Sequence, residues 1–184
     1  MSVIGSQTLA SSPQPVRATS RTWSFPFQGM YQAGVAGFAA NLPASGAPTP
    51  TSAGGTDPAA VLEWPVGQNA YYAWWDFILP RGYVSKTPIG YTVASRSNDS
   101  MHAAILRPSW ACVSTGTVDA PNWTAADPVS IAVAGNNGRA LTTGSITPSC
   151  ATTDAAYVKF VVDTTGLTSP FDLISVSFNV QGSM

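Results

Sequence analysis

The chain has 184 residues with a net charge of −1, and 9% of its residues are charged while 45% are hydrophobic. This length predicts one domain with a substantial core, and the hydrophobic and aromatic content excludes disorder throughout. The eight Lys and Arg residues are scattered singly, so the clustered cations that a nucleic-acid groove requires are missing. No apolar run has the length of a transmembrane helix and no signal-peptide pattern opens the chain, so we expect no membrane partner and synthesis in the cytoplasm.

The N-terminal segment, residues 1–20, is rich in Ser, Thr, Gln and Pro. This composition predicts an extended arm, which is either a frayed tail or a strap that orders on a neighbouring subunit. A strand is predicted over residues 21–31, because aromatic residues occupy alternate positions there: Trp23, Phe25 and Phe27. Pro26 cannot donate to a strand ladder, so this strand should lie at a sheet edge or be interrupted.

Residues 41–57 are punctuated by Pro and Gly, which predicts a long surface loop and excludes a helix or a central strand. After a short strand at 61–65, the densest apolar stretch of the chain runs over residues 69–83. Its aromatic and β-branched content predicts a strand that ends at a turn. Alternation gives this strand two apolar faces, one with Tyr72, Trp74, Asp76 and Ile78 and the other with Tyr71, Trp75, Phe77 and Leu79. We therefore expect both faces to be covered, in a sandwich or at a subunit contact.

Strand and turn signals continue to the C-terminus, with strands predicted over 91–95, 103–114, 129–134, 140–146, 156–163 and 172–181. The sequence Gly135-Asn136-Asn137-Gly138 predicts a hairpin that joins 129–134 to 140–146. In the last strand, alternation points Ile174 inward together with Val176, Phe178 and Val180. The prediction is an all-β protein, an antiparallel β-sandwich or jelly roll, with residues 21–184 as a single domain.

Candidates for catalysis are few. His102 is the only histidine and no Gly-x-Ser-x-Gly motif accompanies it, so we assign it a packing or surface role. Glu63 and Asp76 are the carboxylates that a glycosidase would need near aromatic residues, but only their short separation in sequence links them. A cross-strand hydrogen bond or an ion pair with Arg81 or Arg107 is the simpler role for Asp76. We predict that the protein is not an enzyme and uses no cofactor or metal.

Two further residue sets allow more than one interpretation. For Cys112 and Cys150 we favour buried free thiols; a disulfide is the alternative if the mature protein lies outside the cell, and the absence of CxxC spacing disfavours a metal site. Exposed tryptophans could form a platform for sugars, with Trp64, Trp110 and Trp123 as candidates. Tryptophan in an all-β chain serves more often as a core or interface anchor.

Four stretches together resemble a known family: the Pro/Gly-rich connection, Leu62-Glu63-Trp64, the aromatic strand ending in Phe77-Ile78-Leu79-Pro80-Arg81-Gly82-Tyr83, and residues 105–117 with Trp110, followed by Trp123 and the two C-terminal strands. Over residues 55–181 the pattern resembles the small jelly-roll structural proteins of tailed-bacteriophage virions, especially capsid decoration (cement) proteins. The resemblance implies a non-enzymatic homotrimer on the capsid surface, with the major capsid protein as its partner. The aromatic strand and the cysteines have no counterpart in that family pattern.

The resulting hypothesis is a homotrimeric capsid cement protein that stabilises the head shell of a phage virion and is made in the host cytoplasm. The alternative is a receptor- or glycan-binding module of a phage tail or fibre. Low charge, a predicted arm and strand edges that a neighbour can complete favour an assembly subunit. We place the trimer contact on Tyr72, Trp74, Trp75 and Phe77, and the capsid contact on Arg17, Arg21, Trp23, Pro48 and Pro50.

Overall fold

The structure is a computed structural model that describes residues 18–26, 31–32, 49–52, 60–80, 82–114, 121–132 and 138–183. For the first three of these ranges only the backbone is considered. These residues form the strands β1 (Ala18–Pro26), β2 (Tyr31–Gln32), β3 (Thr49–Ser52), β4 (Ala60–Trp64), β5 (Tyr72–Ile78), β6 (Ile89–Ser97), β7 (Ala103–Val113), β8 (Thr124–Ala125), β9 (Val129–Ala132), β10 (Arg139–Ile146), β11 (Ala155–Asp163) and β12 (Phe171–Ser183).

The strands form two six-stranded sheets. Sheet A has the order β10-β6-β12-β4-β3, with β1 also paired to β12, and sheet B has the order β2-β5-β11-β7-β8, with β9 also paired to β7. Pairing is antiparallel throughout both sheets. The predicted all-β, antiparallel sandwich is confirmed. No helix in the described part of the chain is long and apolar enough to span a membrane.

The core lies between the two sheets and is rich in aromatic rings. On β5 burial alternates, so Ala73, Trp75 and Phe77 point inward as one face of the strand. The Trp75 and Phe160 ring centroids are 5.1 Å apart, and those of Phe77 and Phe178 are 5.2 Å apart. Trp75 and Phe160 both belong to sheet B, whereas the contact between Phe77 and Phe178 joins sheet B to β12, the central strand of sheet A. Burial of large apolar side chains on this scale is the main stabilising contribution to such a sandwich.

Irregularities in the strands account for two differences from the predictions. A register shift between Leu173 and Ser175 of β12 changes the alternation, so Leu173 is buried and Ile174, predicted to point inward, is only partly buried. The predicted hairpin between 129–134 and 140–146 is wrong, because β9 pairs with β7 in sheet B and β10 pairs with β6 in sheet A. Residues 133–137, between these two strands, lie outside the described residues.

The N-terminal predictions are described only in part. Residues 1–17 of the predicted arm lie outside the described residues, and residues 18–20 begin β1, which pairs with β12. Within the predicted loop 41–57, residues 49–52 form the edge strand β3, and the remainder of the loop lies outside the described residues. Pro50 is compatible with this position because an edge strand has one side on which no ladder donor is needed.

A disulfide joins Cys112 of β7 to Cys150 in the connection from β10 to β11, with a Cα–Cα distance of 5.1 Å. The favoured interpretation of two free thiols is therefore wrong. Cys112 faces Ala156 across the β7–β11 ladder, and Cys150 is buried. The bond fixes the segment that leaves sheet A against an inner position of sheet B.

Candidate functional site

The outer face of sheet B carries a group of aromatic side chains, which we call the aromatic face: Tyr72, Trp74, Trp123, Tyr157 and Lys159. Their positions follow from strand register, because Lys159 of β11 lies opposite Trp74 of β5 and Tyr157 lies opposite Asp76. On the other side of β11, Tyr157 is paired with Ala111 of β7. Trp123 directly precedes β8, whose Thr124 pairs with Trp110, so the chain brings it beside Ala111.

The aromatic face has its own small apolar cluster, separate from the core between the sheets. Ala111, Val113 and Tyr157 are buried there, and the partly buried rings of Trp74 and Trp123 pack against them. The Trp74 and Tyr157 rings have centroids 5.1 Å apart and an interplanar angle of 32°. A cluster of this kind holds tryptophan rings in fixed positions while leaving part of their surface open to solvent.

Lys159 lies at the centre of this face. Its Nζ atom is 4.4 Å from the centroid of the Trp123 ring and 5.2 Å from that of Tyr72. Both distances are within the range of cation–π attraction. Burial lowers the pKa of Lys159 from its ordinary value. The lysine thus ties the Trp123 segment to sheet B through ring contacts.

The two ends of the face differ in character. At one end Arg107 and Asp163 form an ion pair with an N–O distance of 2.7 Å, and Asp163 also accepts hydrogen bonds from the Thr165 hydroxyl and amide. The Thr165 hydroxyl and the Arg107 guanidinium hold the pKa of Asp163 below its usual range. At the other end Ile78 is 79% exposed. Along β11 these ends are about 26 Å apart at the usual rise of a strand.

The outer face of sheet A is polar instead. A groove of about 480 Å³ is lined largely by hydroxyl and amide side chains, among them Thr92, Thr143, Ser145, Ser177, Asn179 and Gln181. Gly144 also lines it, and a Cβ at this position would overlap the hydroxyl of Tyr91. That hydroxyl is buried with no hydrogen-bond partner among the described residues. Among the described residues that line this groove, none carries a charge, and the aromatic residue Tyr91 is buried.

A row of charges crosses the same sheet. Arg96 faces Asp172 on the neighbouring strand and donates to it from Nε at 2.8 Å, and Asp172 in turn faces Glu63. Burial raises the pKa of Asp172, and burial together with the Asp172 charge raises that of Glu63. Asp76 lies on sheet B, so the structure does not bring Glu63 and Asp76 together. The partner of Arg107 is Asp163 and not Asp76.

His102 belongs to a turn. Its Nδ1 lies 3.1 Å from both carboxylate oxygens of Asp99, which also accepts hydrogen bonds from the amides of Met101, His102 and Thr168 and from the Thr168 hydroxyl. The backbone hydrogen bond from Thr168 is the largest of the causes that hold the pKa of Asp99 far below its usual range. Asp99 thus joins the β6–β7 turn to the loop before β12. Among the residues with described positions, no group of three or more His, Cys, Asp or Glu side chains could hold a metal.

The structure divides the predicted contact residues between core and surface. Trp75 is fully buried and Phe77 is 6% exposed, so both lie between the sheets, while Tyr72 and Trp74 belong to the aromatic face. An inward ring cannot contact another subunit without unfolding, so only the latter two are available for the predicted trimer contact, which stays a prediction. Of the residues predicted to contact a capsid, Arg17 and Pro48 lie outside the described residues, whereas Arg21 and Trp23 are in β1 and Pro50 is in β3. The capsid contact stays a prediction.

The three tryptophans considered for a sugar platform lie in different parts of the fold. Trp64 is fully buried and donates from Nε1 to the Tyr71 carbonyl at 2.9 Å, and Trp110 packs against the main core. Only Trp123 is on the aromatic face. Sequence reasoning missed Tyr157 and Lys159 as its neighbours, although their shared strand face was visible in the alternation of residues 156–163.

No protein-family profile matches the sequence, and no characterised protein matches it in a sequence comparison. Solved structures do match its fold. The CBM22-1–GH10 modules of the Clostridium thermocellum endo-1,4-β-D-xylanase 10B, complexed with xylohexaose, give a TM-score of 0.52 at 13% identity over 85% of this chain and 27% of that one. The CBM22-1 xylan-binding domain of Paenibacillus barcinonensis Xyn10C gives 0.48 at 7% identity over 86% and 92%. Tailspike protein 4 of bacteriophage CBA120 gives 0.38 at 11% identity over 84% and 19%.

The chain therefore spans about a quarter of the xylanase structure, in which a carbohydrate-binding module precedes a further module. Identities at this level show a shared fold and nothing finer. The chain has a jelly-roll β-sandwich fold of the type that carbohydrate-binding modules adopt.

Proposed function

We propose that this protein is a non-enzymatic glycan-binding module whose ligand lies on the aromatic face. The observation that carries the proposal is the set of partly exposed rings, Tyr72, Trp74 and Trp123, on the outer face of sheet B. The apolar C–H face of a sugar ring packs on an aromatic ring, while its hydroxyls need polar partners at the edges. Ser109, Asp76 and the Arg107–Asp163 pair supply such partners on the same face.

Preorganisation supports this use of the face. Trp74 is packed on Tyr157 and Trp123 is held by Lys159, so the rings are ordered before a ligand arrives. Binding then costs little side-chain entropy, which is the usual advantage of a site built on strands. The fold is compatible with the proposal, since a module of the similar C. thermocellum structure is a carbohydrate-binding module and that structure contains xylohexaose. A location on a phage tail or fibre is part of the proposal and rests on the sequence resemblance alone.

A glycan array followed by titration calorimetry tests the proposal. Trp123→Ala and Trp74→Ala should each weaken binding of an array hit by about tenfold or more, since stacking of one ring contributes on the order of 1–3 kcal/mol. Leu141→Ala is the matched control, because Leu141 is an exposed apolar residue of β10 on sheet A. Unchanged affinity in both tryptophan variants, or no hit at all, would refute the assignment.

The second candidate is the homotrimeric capsid cement protein, with the major capsid protein as partner and the capsid surface as location. The observation that favours it is the apolar character of β5 on its outer side, where Tyr72 and Trp74 are partly exposed and Ile78 is 79% exposed. Such a strip suits a symmetric contact. A native mass near three times 19.1 kDa, about 57 kDa, would support it.

A further inference from the structure

We propose, building on the glycan-binding function above, that the ligand is acidic: a sugar that carries an anionic group on its ring, which pairs with Lys159. The lysine lies on the central strand of sheet B, opposite Trp74 on one side and Ser109 on the other. A glycan that stacks on Trp74 therefore lies beside Lys159 on the neighbouring strand.

As far as the described residues go, the ammonium group of Lys159 contacts aromatic rings only. It carries three N–H donors, and the faces of Trp123 and Tyr72 attract its charge without offering oxygen acceptors. Within the described ranges, the ion pairs are Arg96–Asp172, His102–Asp99 and Arg107–Asp163, and Lys159 is in none of them. Among the described residues no oxygen accepts a hydrogen bond from this group, and a ligand oxygen would supply that acceptor.

The neighbouring carboxylates do not fill that role. Asp163 lies on the same strand face but is already paired with Arg107 and Thr165. Asp76 is opposite Tyr157, two residues along β11 from Lys159, which places it at a diagonal position of the ladder. Of the two carboxylates described on this face, Asp163 is therefore already paired, and Asp76 forms no ion pair with Lys159.

Partial burial of Lys159 gives that charge discriminating power. Burial lowers the pKa of Lys159, because removal from water disfavours the charged form. A charge-assisted hydrogen bond is stronger where water is partly excluded. A carboxylate attached directly to a sugar ring can reach the Nζ atom while the ring itself stacks on Trp123 or Trp74. Uronic and sialic acids have this geometry, and a sulfate ester offers a similar charge on a longer bond.

The test compares each acidic probe with the same molecule after its charge is removed. Oligogalacturonate, oligomannuronate and oligosialate are titrated beside their methyl esters, with a sulfated galactan and its desulfated form as the arm that separates sulfate from carboxylate. We expect at least one acidic probe to bind about tenfold or more tightly than its neutral form at neutral pH and low salt. The difference should shrink as salt is raised.

The variant Lys159→Met retains the apolar stem over the rings and removes the charge, so it should bind acid and ester alike. Lys159→Arg keeps the charge and should keep the discrimination, which provides a readout that loss of packing does not change. Arg139→Met, which removes an exposed cation on sheet A, is the control for overall charge. Thermal unfolding of each variant checks that it is folded.

The outcomes separate the two proposals. If neutral glycans bind and no acidic probe binds better than its neutral form, the acidic-ligand inference is overturned and the glycan-binding function stands. Equal discrimination by the wild type and a folded Lys159→Met also overturns it. If no acidic or neutral glycan binds the wild type, the glycan-binding function itself fails.

Discussion

Removal of the Cys112–Cys150 disulfide should lower stability by an amount that follows from its place in the chain. The bond closes a loop of 38 residues. In the chain-entropy description such a crosslink stabilises the fold by about 4 kcal/mol at 25 °C, because it restricts the unfolded state. For a domain of this size that corresponds to a fall in Tm of roughly 8–16 °C. The double variant Cys112→Ala/Cys150→Ala removes the bond without leaving a reactive thiol.

Urea unfolding monitored by tryptophan fluorescence measures this difference directly. The double variant should show a lower midpoint and also a steeper dependence on urea, since its unfolded chain exposes more surface. Wild-type protein with a reductant should approach the stability of the variant, and the variant itself should not respond to the reductant. A wild-type midpoint that is unchanged by the reductant, in a protein whose thiols are shown to be reduced, would refute the entropic reasoning.

Two further predictions concern sheet A. Glu63→Gln should raise Tm at pH 7. Burial and the Asp172 charge raise the folded-state pKa of Glu63 above its ordinary 4.5, so ionisation of this side chain destabilises the fold. In thermal scans the gain in Tm should vanish as the pH falls below 4.5, where Glu63 is protonated in both states. A gain that persisted at low pH would contradict the electrostatic cause. Gly144→Ala should cost roughly 1–3 kcal/mol in chemical unfolding, because the new methyl group overlaps the Tyr91 ring, which is packed on Phe160 at a centroid distance of 5.0 Å. Tyr91→Phe, which removes only the unpartnered buried hydroxyl, should leave stability unchanged or raise it, and a loss equal to that of Gly144→Ala would show that the hydroxyl has a partner.

The sequence could predict which residues of β5 share a face, and the structure shows that alternation in its burial. It could not predict which face points inward, because both are apolar. Tyr72, Trp74, Trp75 and Phe77 were therefore assigned together to a subunit contact, whereas the last two lie in the core. Which face of β5 points inward depends on where the other sheet packs, and the sequence of this strand alone does not contain that information.

The candidate site could not be predicted from the sequence for a related reason. Trp74 and Lys159 are adjacent across the β5–β11 ladder although they are far apart in sequence, and Trp123 reaches the same surface from the segment before β8. Local patterns determine the face on which a side chain lies, but not the strand that lies beside it. The disulfide was ambiguous for the same reason, since only the fold brings Cys150 against β7.

The two proposed functions require the same surface, so an experiment on that surface can distinguish them. A trimer contact through Tyr72 and Trp74 would cover the rings that a glycan needs, so ligand and neighbouring subunit cannot occupy the face together. By mass action, a glycan that binds only the open face must dissociate any trimer built on it. If the aromatic face is free in solution, the native mass should be that of a monomer, 19.1 kDa. Addition of a glycan should then raise this mass only by the mass of the ligand. A trimer near 57 kDa, three times 19.1 kDa, that persists with glycan and is lost in Trp74→Ala would instead place the subunit contact on this face and exclude it as the glycan site.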